Sequence, residues 1–522
     1  DRQGLEVTVD GRFEWAARLP SCGLGHRRVQ CLTQMPAGEH KAGMKRTWMD
    51  TETAYQEALT YLYSFVDYSM TRALQFSPEK FDLSRMERLL ERLGNPQQQY
   101  PIVHVAGTKG KGSTAAMIAS ALSAAGYRVG FYTSPHLQDF TERMQLDGRL
   151  ISHRQLADLV AEMKPIAAEI PQLTTFELTT AAAFLFFARQ GATAAVIEVG
   201  LGGRLDATNV VSPLVSVITS ISYDHMNLLG STLGQIAAEK AGIIKPGRPV
   251  VSAPQKMEAL EVIEHTAESR QSALTVVGRD VLFADWTHQM DGQTFLVWRA
   301  EEQETVNRWI DAGGDGPHGP VQLRTPLLGY HQVENAATAY AALLSVREAG
   351  LPVDEAAIQR GFAEVFWPGR FEVLRQEPPV VVDSAHNRDS ALRLRLAIED
   401  YLPGKPIVLL FGASEDKDLE GMFAELLPRV RQVVVTESFH PRAAKAEDLA
   451  ALVRRFGRPV EIVRPARAAL ERAMTLAGSQ AAVVVAGSLF ISAEARDAWQ
   501  ALGLPLRRFA TWDEMDAESP LR

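Results

Sequence analysis

Short apolar, β-branched runs alternate with helix-patterned stretches along most of this chain, and that alternation restricts it to an α/β architecture. Runs at 102–106, 129–133, 195–199, 215–220 and 249–252 are each followed by a helical pattern, the signature of βαβ units around a parallel sheet. A second series at 380–383, 407–411, 433–436, 461–463 and 482–486 alternates with helix-like segments such as 419–430 and 446–456, predicting a second α/β sheet of Rossmann type. Between the two series the pattern changes to short strands at 281–283 and 294–298, a Gly-rich surface loop at 312–319 and a helix at 332–348. Phe366, Trp367, Pro368 and Gly369 then break the pattern at a hinge.

Composition narrows the classes further. At 522 residues, 46% hydrophobic and 22% charged, the chain is too long for one small binding module and too apolar for wholesale disorder. Its 54 Lys and Arg stand against 63 Asp and Glu, a net charge of −9, which argues against a broad basic surface for nucleic acid. The longest apolar segment, around 181–188, falls short of the roughly 20 residues that cross a bilayer. Cys22 and Cys31 are the only cysteines, so the rest of the chain has no thiol for a disulfide, a zinc site or a nucleophile, which fits a reducing, cytoplasmic setting. Residues 1–45 show little sustained period and no signal-peptide core, whereas Tyr55, Leu59, Leu62, Phe65 and Val66 recur at helical spacing.

The strongest local signal is Val103-His104-Val105-Ala106-Gly107-Thr108-Lys109-Gly110-Lys111-Gly112-Ser113-Thr114, where an apolar strand enters a Gly-rich turn and leaves as an Ala-rich helix. Backbone N–H groups in such a turn converge on phosphate oxygens, the helix N-terminus adds its positive end, and Lys111 can bridge the outer phosphates. The common G-x-x-x-x-G-K-[ST] spacing fails, because Val stands at 105 and Gly112 occupies the Ser/Thr position. Two further clusters follow strand-like runs. One is Glu198-Val199-Gly200-Leu201-Gly202-Gly203-Arg204-Leu205-Asp206-Ala207-Thr208-Asn209, whose first carboxylate suits Mg²⁺ beside phosphates or, alternatively, caps a helix or ends a strand in solvent. The other is Ser222-Tyr223-Asp224-His225, leading toward Glu239-Lys240-Ala241-Gly242-Ile243. Polar groups at the ends of neighbouring parallel strands face one crevice, which points to a nucleotide-metal site. The division expected is an extension at 1–48, poorly ordered, a P-loop ATPase domain with a parallel sheet at 49–366, and a Rossmann-like α/β domain at 367–522.

Together with Thr133-Ser134-Pro135-His136-Leu137, His331-Gln332-Val333-Glu334-Asn335, Pro368-Gly369-Arg370 and Asp383-Ser384-Ala385-His386-Asn387, these motifs occur in an order that resembles folylpolyglutamate synthases and bifunctional dihydrofolate synthases of the Mur ligase superfamily. The resemblance runs from about Thr51 to the end, and in that family the phosphate loop reads G-T-x-G-K-x-S/T, with Asn more usual at the place of Lys109. It implies that Gly107 to Ser113 bind ATP phosphates, that Ser134, Glu198 and His225 hold Mg²⁺, that Lys240 is a carbamylated lysine, and that Lys111, Lys240 and His225 serve catalysis. Asn335, Arg370 and Asp383 would be nucleotide contacts; Phe176 and Thr180 would lie near the pterin pocket, and His386 and Ser488 on the glutamate side, while each also has an ordinary structural reading. Glu177 belongs to that pterin-side segment, and Phe140, Glu142 and Arg143 are compatible with the same pocket.

The activity implied joins a carboxylate to an amine through an acyl phosphate, adding L-glutamate to dihydropteroate and to reduced folates in a cytoplasmic, monomeric enzyme, with a monovalent cation as a further candidate cofactor. Alternatives are a folylpolyglutamate synthase without the dihydropteroate activity, a Mur ligase acting on peptidoglycan precursors, and a nucleotide-binding protein without catalysis.

Overall fold

The computed structural model describes residues 40–65, 82–314 and 319–512. Most of the expected extension, Val66 and part of the Gly-rich loop lie outside them. Residues 1–49 and 50–522 separate as two units. A helix, His40–Tyr63, opens the described chain and begins inside the segment read as an extension.

The largest sheet is built from β1 (Ile102–Ala106), β2 (Val129–Tyr132), β3 (Met144–Leu146), β4 (Arg149–Leu150), β5 (Ala194–Glu198), β6 (Val215–Ile218), β7 (Val250–Ser252) and β8 (Leu274–Val276). Strands β2, β5, β1, β6, β7 and β8 are parallel neighbours in that order. Every residue of β1 and β5 is buried, because helices cover both faces and a continuous apolar run is needed. Val103 and Val105 pack on one side against the helices Lys111–Ala124 and Tyr330–Glu348, whereas Ile102, Ala195 and Ile197 pack on the other against Thr175–Arg189.

The sheet is parallel-rich rather than wholly parallel. Strand β3 pairs antiparallel with both β2 and β4, and Asp147 and Gly148, at φ 53° and 72°, form the tight hairpin turn that joins β3 to β4, as an Asp-Gly pair favours. A three-stranded antiparallel sheet follows: β9 (Val281–Gln289), β10 (Gly292–Arg299) and β11 (Val321–Thr325). Here β9 runs well past the expected 281–283, since residues 285–289 are solvent-facing and, with Trp286 their one apolar residue, form no apolar run.

The last sheet comprises β12 (Glu372–Arg375), β13 (Val380–Val382), β14 (Ile407–Phe411), β15 (Val430–Val435), β16 (Val460–Ile462) and β17 (Ala482–Ala486) in the order β12-β13-β17-β14-β15-β16. All but β12 are parallel. The helix expected over 419–430 ends at Leu426 and gives way to a 3₁₀ turn holding Pro428, which cannot continue it. A final strand, β18 (Ala510–Thr511), leaves this half and pairs parallel with β4 at the edge of the first sheet. No helix among the described residues is long and apolar enough to cross a membrane.

Candidate active site

The carboxyl ends of β1, β2, β5 and β6 lie side by side, and the loops leaving them carry most of the residues singled out from sequence. Gly107 has φ 150°, and a Cβ there would sit 1.9 Å from Thr219 Oγ1. Gly110, at φ 87°, caps the helix that begins at Lys111; a side chain there would strike Asn335 Oδ1 at 2.1 Å. At Gly112 a Cβ would meet the Trp367 ring at 2.6 Å, so the hinge tryptophan occupies the space that a serine or threonine would need. Thr108 and Lys109 donate their backbone N–H groups to the Ser220 carbonyl, at 2.9 and 3.1 Å.

Lys111 Nζ stands 3.9 Å from Glu198 Oε1, at the end of β5. The Thr133 hydroxyl donates to Glu198 Oε2. Burial pushes the Glu198 carboxyl up, opposed by the Lys111 charge, by the Thr133 hydroxyl and by the Ser134 backbone N–H. Lys240, only 3% exposed near the end of the helix Leu233–Ala241, donates to the Gly107 carbonyl at 2.9 Å. Burial, and after it the Lys111 charge, brings its amine down to about 7. The Gly200–Leu205 turn packs on this helix end, where a Cβ on Gly203 would meet Glu239 O at 2.7 Å. Asp206 ties the turn down by accepting from Leu201 N and from Thr208 N.

Lys109 does not point freely at the phosphate position: its Nζ pairs with Asp224 Oδ2 at 2.8 Å. Against the effect of burial, that ammonium holds the Asp224 carboxyl well below the usual carboxylate range. His225 follows at φ 48°, half exposed and 3.8 Å from Asp224. Burial lowers the His225 imidazole, opposed by Asp224.

From the second half, Arg370, just ahead of β12, and residues after β13 face the same place. The Arg370 guanidinium feels both Asp383 and Glu198, whose charges oppose the lowering that burial causes. Asp383 accepts from Phe371 N at 2.7 Å and Ala385 N at 2.8 Å. His386 holds its Nδ1 2.9 Å from the Ser384 carbonyl; burial, with the Lys109 charge, brings it to about 4, so the ring is neutral at pH 7. Asn335 packs over Gly110 with its amide donating to Gln332 Oε1 at 2.9 Å.

Some predicted residues are already engaged in the framework. Thr180 is fully buried, its hydroxyl shared with Tyr132 OH at 3.0 Å. Ser488 caps the helix Leu489–Ala501 and donates to the Gly412 carbonyl at 3.0 Å. Glu177 pairs with Arg85 at 3.2 Å. Phe176 presses on Gly200, where a Cβ would lie 2.4 Å from the ring. Glu142 gathers the backbone N–H groups of Leu137, Gln138 and Asp139. Ser113 is buried on the first turn of its helix.

No three His, Cys, Asp or Glu side chains among the described residues form a ready-made metal cluster. Glu198 with the neighbouring Thr133 and Ser134 offers hard oxygen donors at the loop that would hold the phosphates, a donor set that fits Mg²⁺. Sequence reasoning missed Thr133 as a partner of Glu198, Trp367 as the cover of Gly112 and Asp206 as the anchor of the turn. All three lie inside quoted motifs; the roles of Thr133 and Trp367 show only in long-range pairing, whereas that of Asp206 rests on hydrogen bonds within its own turn.

Comparison with known proteins shows the family. Residues 105–343 match the Mur ligase middle domain, and residues 369–489 match the Mur ligase glutamate ligase domain. The dihydrofolate synthase/folylpolyglutamate synthase of Bacillus subtilis is 37% identical over 76% of this chain and 88% of its own length. Among solved structures, Mycobacterium tuberculosis folylpolyglutamate synthase complexed with ADP superposes at TM-score 0.74 with 31% identity, over 88% of this chain and 100% of that one. Escherichia coli FolC in complex with DHPP and ADP gives 0.74 at 30% identity, over 86% and 98%.

Proposed function

The chain belongs to the Mur ligase family, among its folylpolyglutamate and dihydrofolate synthases, ATP-dependent ligases that attach glutamate to a folate, and we propose that it acts on dihydropteroate as well as on reduced folates. The observation that carries the reading is the convergence of Lys111 and buried Glu198 at the ends of β1 and β5, with Arg370 of the second half facing Glu198.

An unactivated carboxylate does not lose its oxygen to an amine at neutral pH. In the proposed reaction the pteroate carboxylate, or the folate γ-carboxylate, attacks the γ-phosphorus of ATP, and ADP leaves. Lys111 and Arg370 offset the charge that spreads over the transferred group. Glu198, with Thr133 and Ser134 beside it, would hold Mg²⁺, which would supply further neutralisation of that charge. The deprotonated glutamate amine then attacks the acyl carbon, the C–O bond to phosphate breaks, and the amide forms with release of phosphate and a proton. Trp367 and Asn335, set over the phosphate loop, help to exclude water from an acyl phosphate that would otherwise hydrolyse.

Carbamylation of Lys240 is part of the proposal. An amine brought to about 7 is largely unprotonated at slightly alkaline pH and therefore nucleophilic toward CO₂, and the resulting anion would sit beside the Lys111 charge. The test of the whole reading is glutamate-dependent phosphate release from Mg-ATP, run with dihydropteroate and with tetrahydrofolate, with products identified by mass. Turnover with both acids is expected. Turnover with tetrahydrofolate alone would reduce the activity to folate extension, and turnover with neither would overturn the reading.

A further inference from the structure

Arg496 lies on the helix Leu489–Ala501, outside every motif discussed above, yet it is 1% exposed. A guanidinium is rarely so deeply buried unless all its N–H groups are engaged. Here its three nitrogens reach three separate segments. Nε donates to Gln138 Oε1 at 2.8 Å, NH1 to Glu372 Oε1, and NH2 to the Arg507 carbonyl at 3.0 Å.

Each partner leads on toward the candidate active site or to the chain crossing beside it. Glu372 uses its other oxygen to accept from Gly369 N at 2.9 Å, one residue before Arg370. Gln138 sits in the loop that leaves β2, whose first residue, Thr133, donates to Glu198. The Gln138 amide is held at both ends, because its Nε2 donates to Asp497 Oδ1 at 2.6 Å, and its backbone N–H is held by Glu142. Arg507 belongs to the stretch that carries the chain back to β18. Its guanidinium lies 4.6 Å from the centre of the Phe366 ring, immediately before Trp367.

We propose that Arg496 is a positioning residue for the ligase reaction, setting the hinge that carries Arg370 in register with the β2 loop that steadies Glu198. An ion pair that only stabilised the fold would need Glu372 alone. The planar fork instead spans elements from both halves of the molecule, and lysine, with a single nitrogen, cannot reproduce that geometry.

The inference rests on the ATP-dependent ligase reading, so wild-type turnover is measured first; if the wild type shows none, that reading fails. With an active wild type, kcat, KM for ATP, KM for glutamate and melting temperature are compared for Arg496→Met, Arg496→Lys, Gln138→Met and the Arg496→Met/Gln138→Met pair. Loss of register is expected to lower kcat by about tenfold in Arg496→Met and to raise KM for ATP more than KM for glutamate. Arg496→Lys recovers little, and the double variant is no worse than Arg496→Met alone, because both substitutions cut the same bridge. Wild-type kcat and KM values in Gln138→Met and Arg496→Lys overturn the proposal, whatever happens to the melting temperature, and so do effects that add in full. Should Arg496→Met fail to fold, Gln138→Met decides, since it leaves the Arg496–Glu372 pair in place.

Discussion

A lysine ammonium shut away from water beside a second lysine gives up its proton easily, and Lys240 is in that position. Below about pH 7 its amine is charged and inert toward CO₂; above that it is neutral. Enzyme stripped of CO₂ should therefore regain activity on adding bicarbonate, more completely at pH 8 than at pH 6.5, and Lys240→Met should show no such response; recovery independent of Lys240 would contradict the carbamate. The same shift has a stability consequence. Between about 7 and the ordinary lysine value of 10.5 the unfolded chain binds the proton that the folded one has lost, so this residue's contribution to stability rises with pH across that window, as denaturation midpoints of wild type and Lys240→Met would show. At Lys111, removal of the ammonium should cost about 100-fold or more in glutamate-dependent phosphate release while the fold persists; a Lys111→Ala enzyme with near-wild-type turnover would remove it from the site. Lys111 and Glu198 were legible in the sequence because each sits in a strand-end motif, whereas Lys240, in the last turn of the helix Leu233–Ala241, was singled out only through the family resemblance. The engagement of Lys109 by Asp224 was not, since the two are far apart in the chain and only the β1–β6 pairing brings them together. Thr180 and Ser488 show a related limit: their motifs could be recognised, but the hydrogen bonds that occupy their hydroxyls, made to Tyr132 and Gly412 far along the chain, could not.

Elements were read best where burial on both faces forces a continuous apolar run, as in β1, β5, β14 and β17. They were read worst where one face meets solvent, as in the outer part of β9, or where a short hairpin turns on a pair such as Asp147-Gly148. The phosphate loop is the element whose backbone most limits its side chains. Gly110→Ala asks a residue at φ 87° to carry a Cβ into Asn335, so it should weaken ATP binding by about tenfold or more, measured by titration with the non-hydrolysable analogue. Gly112→Ala tests a different contact, because its Cβ displaces Trp367 instead. Tryptophan fluorescence should shift in that variant before any nucleotide is added, and an unchanged spectrum would show that Trp367 does not rest on the loop.

At the scale of the whole molecule, the two halves are joined twice, once through the hinge at 366–369 and once through the stretch that ends in β18. That return is well anchored: Phe509 packs edge-on against Phe366 at 4.9 Å, and the guanidinium groups of Arg128 and Arg149 lie 5.8 and 5.6 Å from the centre of the Trp512 ring. Ending the chain after Gly503 should remove about 2 kcal/mol or more of this packing and lower the melting temperature by about 2 °C for each kcal/mol lost. An unchanged melting curve would mean that the return path contributes nothing. Nothing in a two-residue strand announces its partner hundreds of residues earlier, so this closure was not legible in the sequence. During synthesis the ribosome must release the chain through Thr511 before β18 can reach β4. Until then the backbone groups along that border of the first sheet have no strand to pair with, and this border is where a nascent chain would be most open to chaperones or to a wrong neighbour.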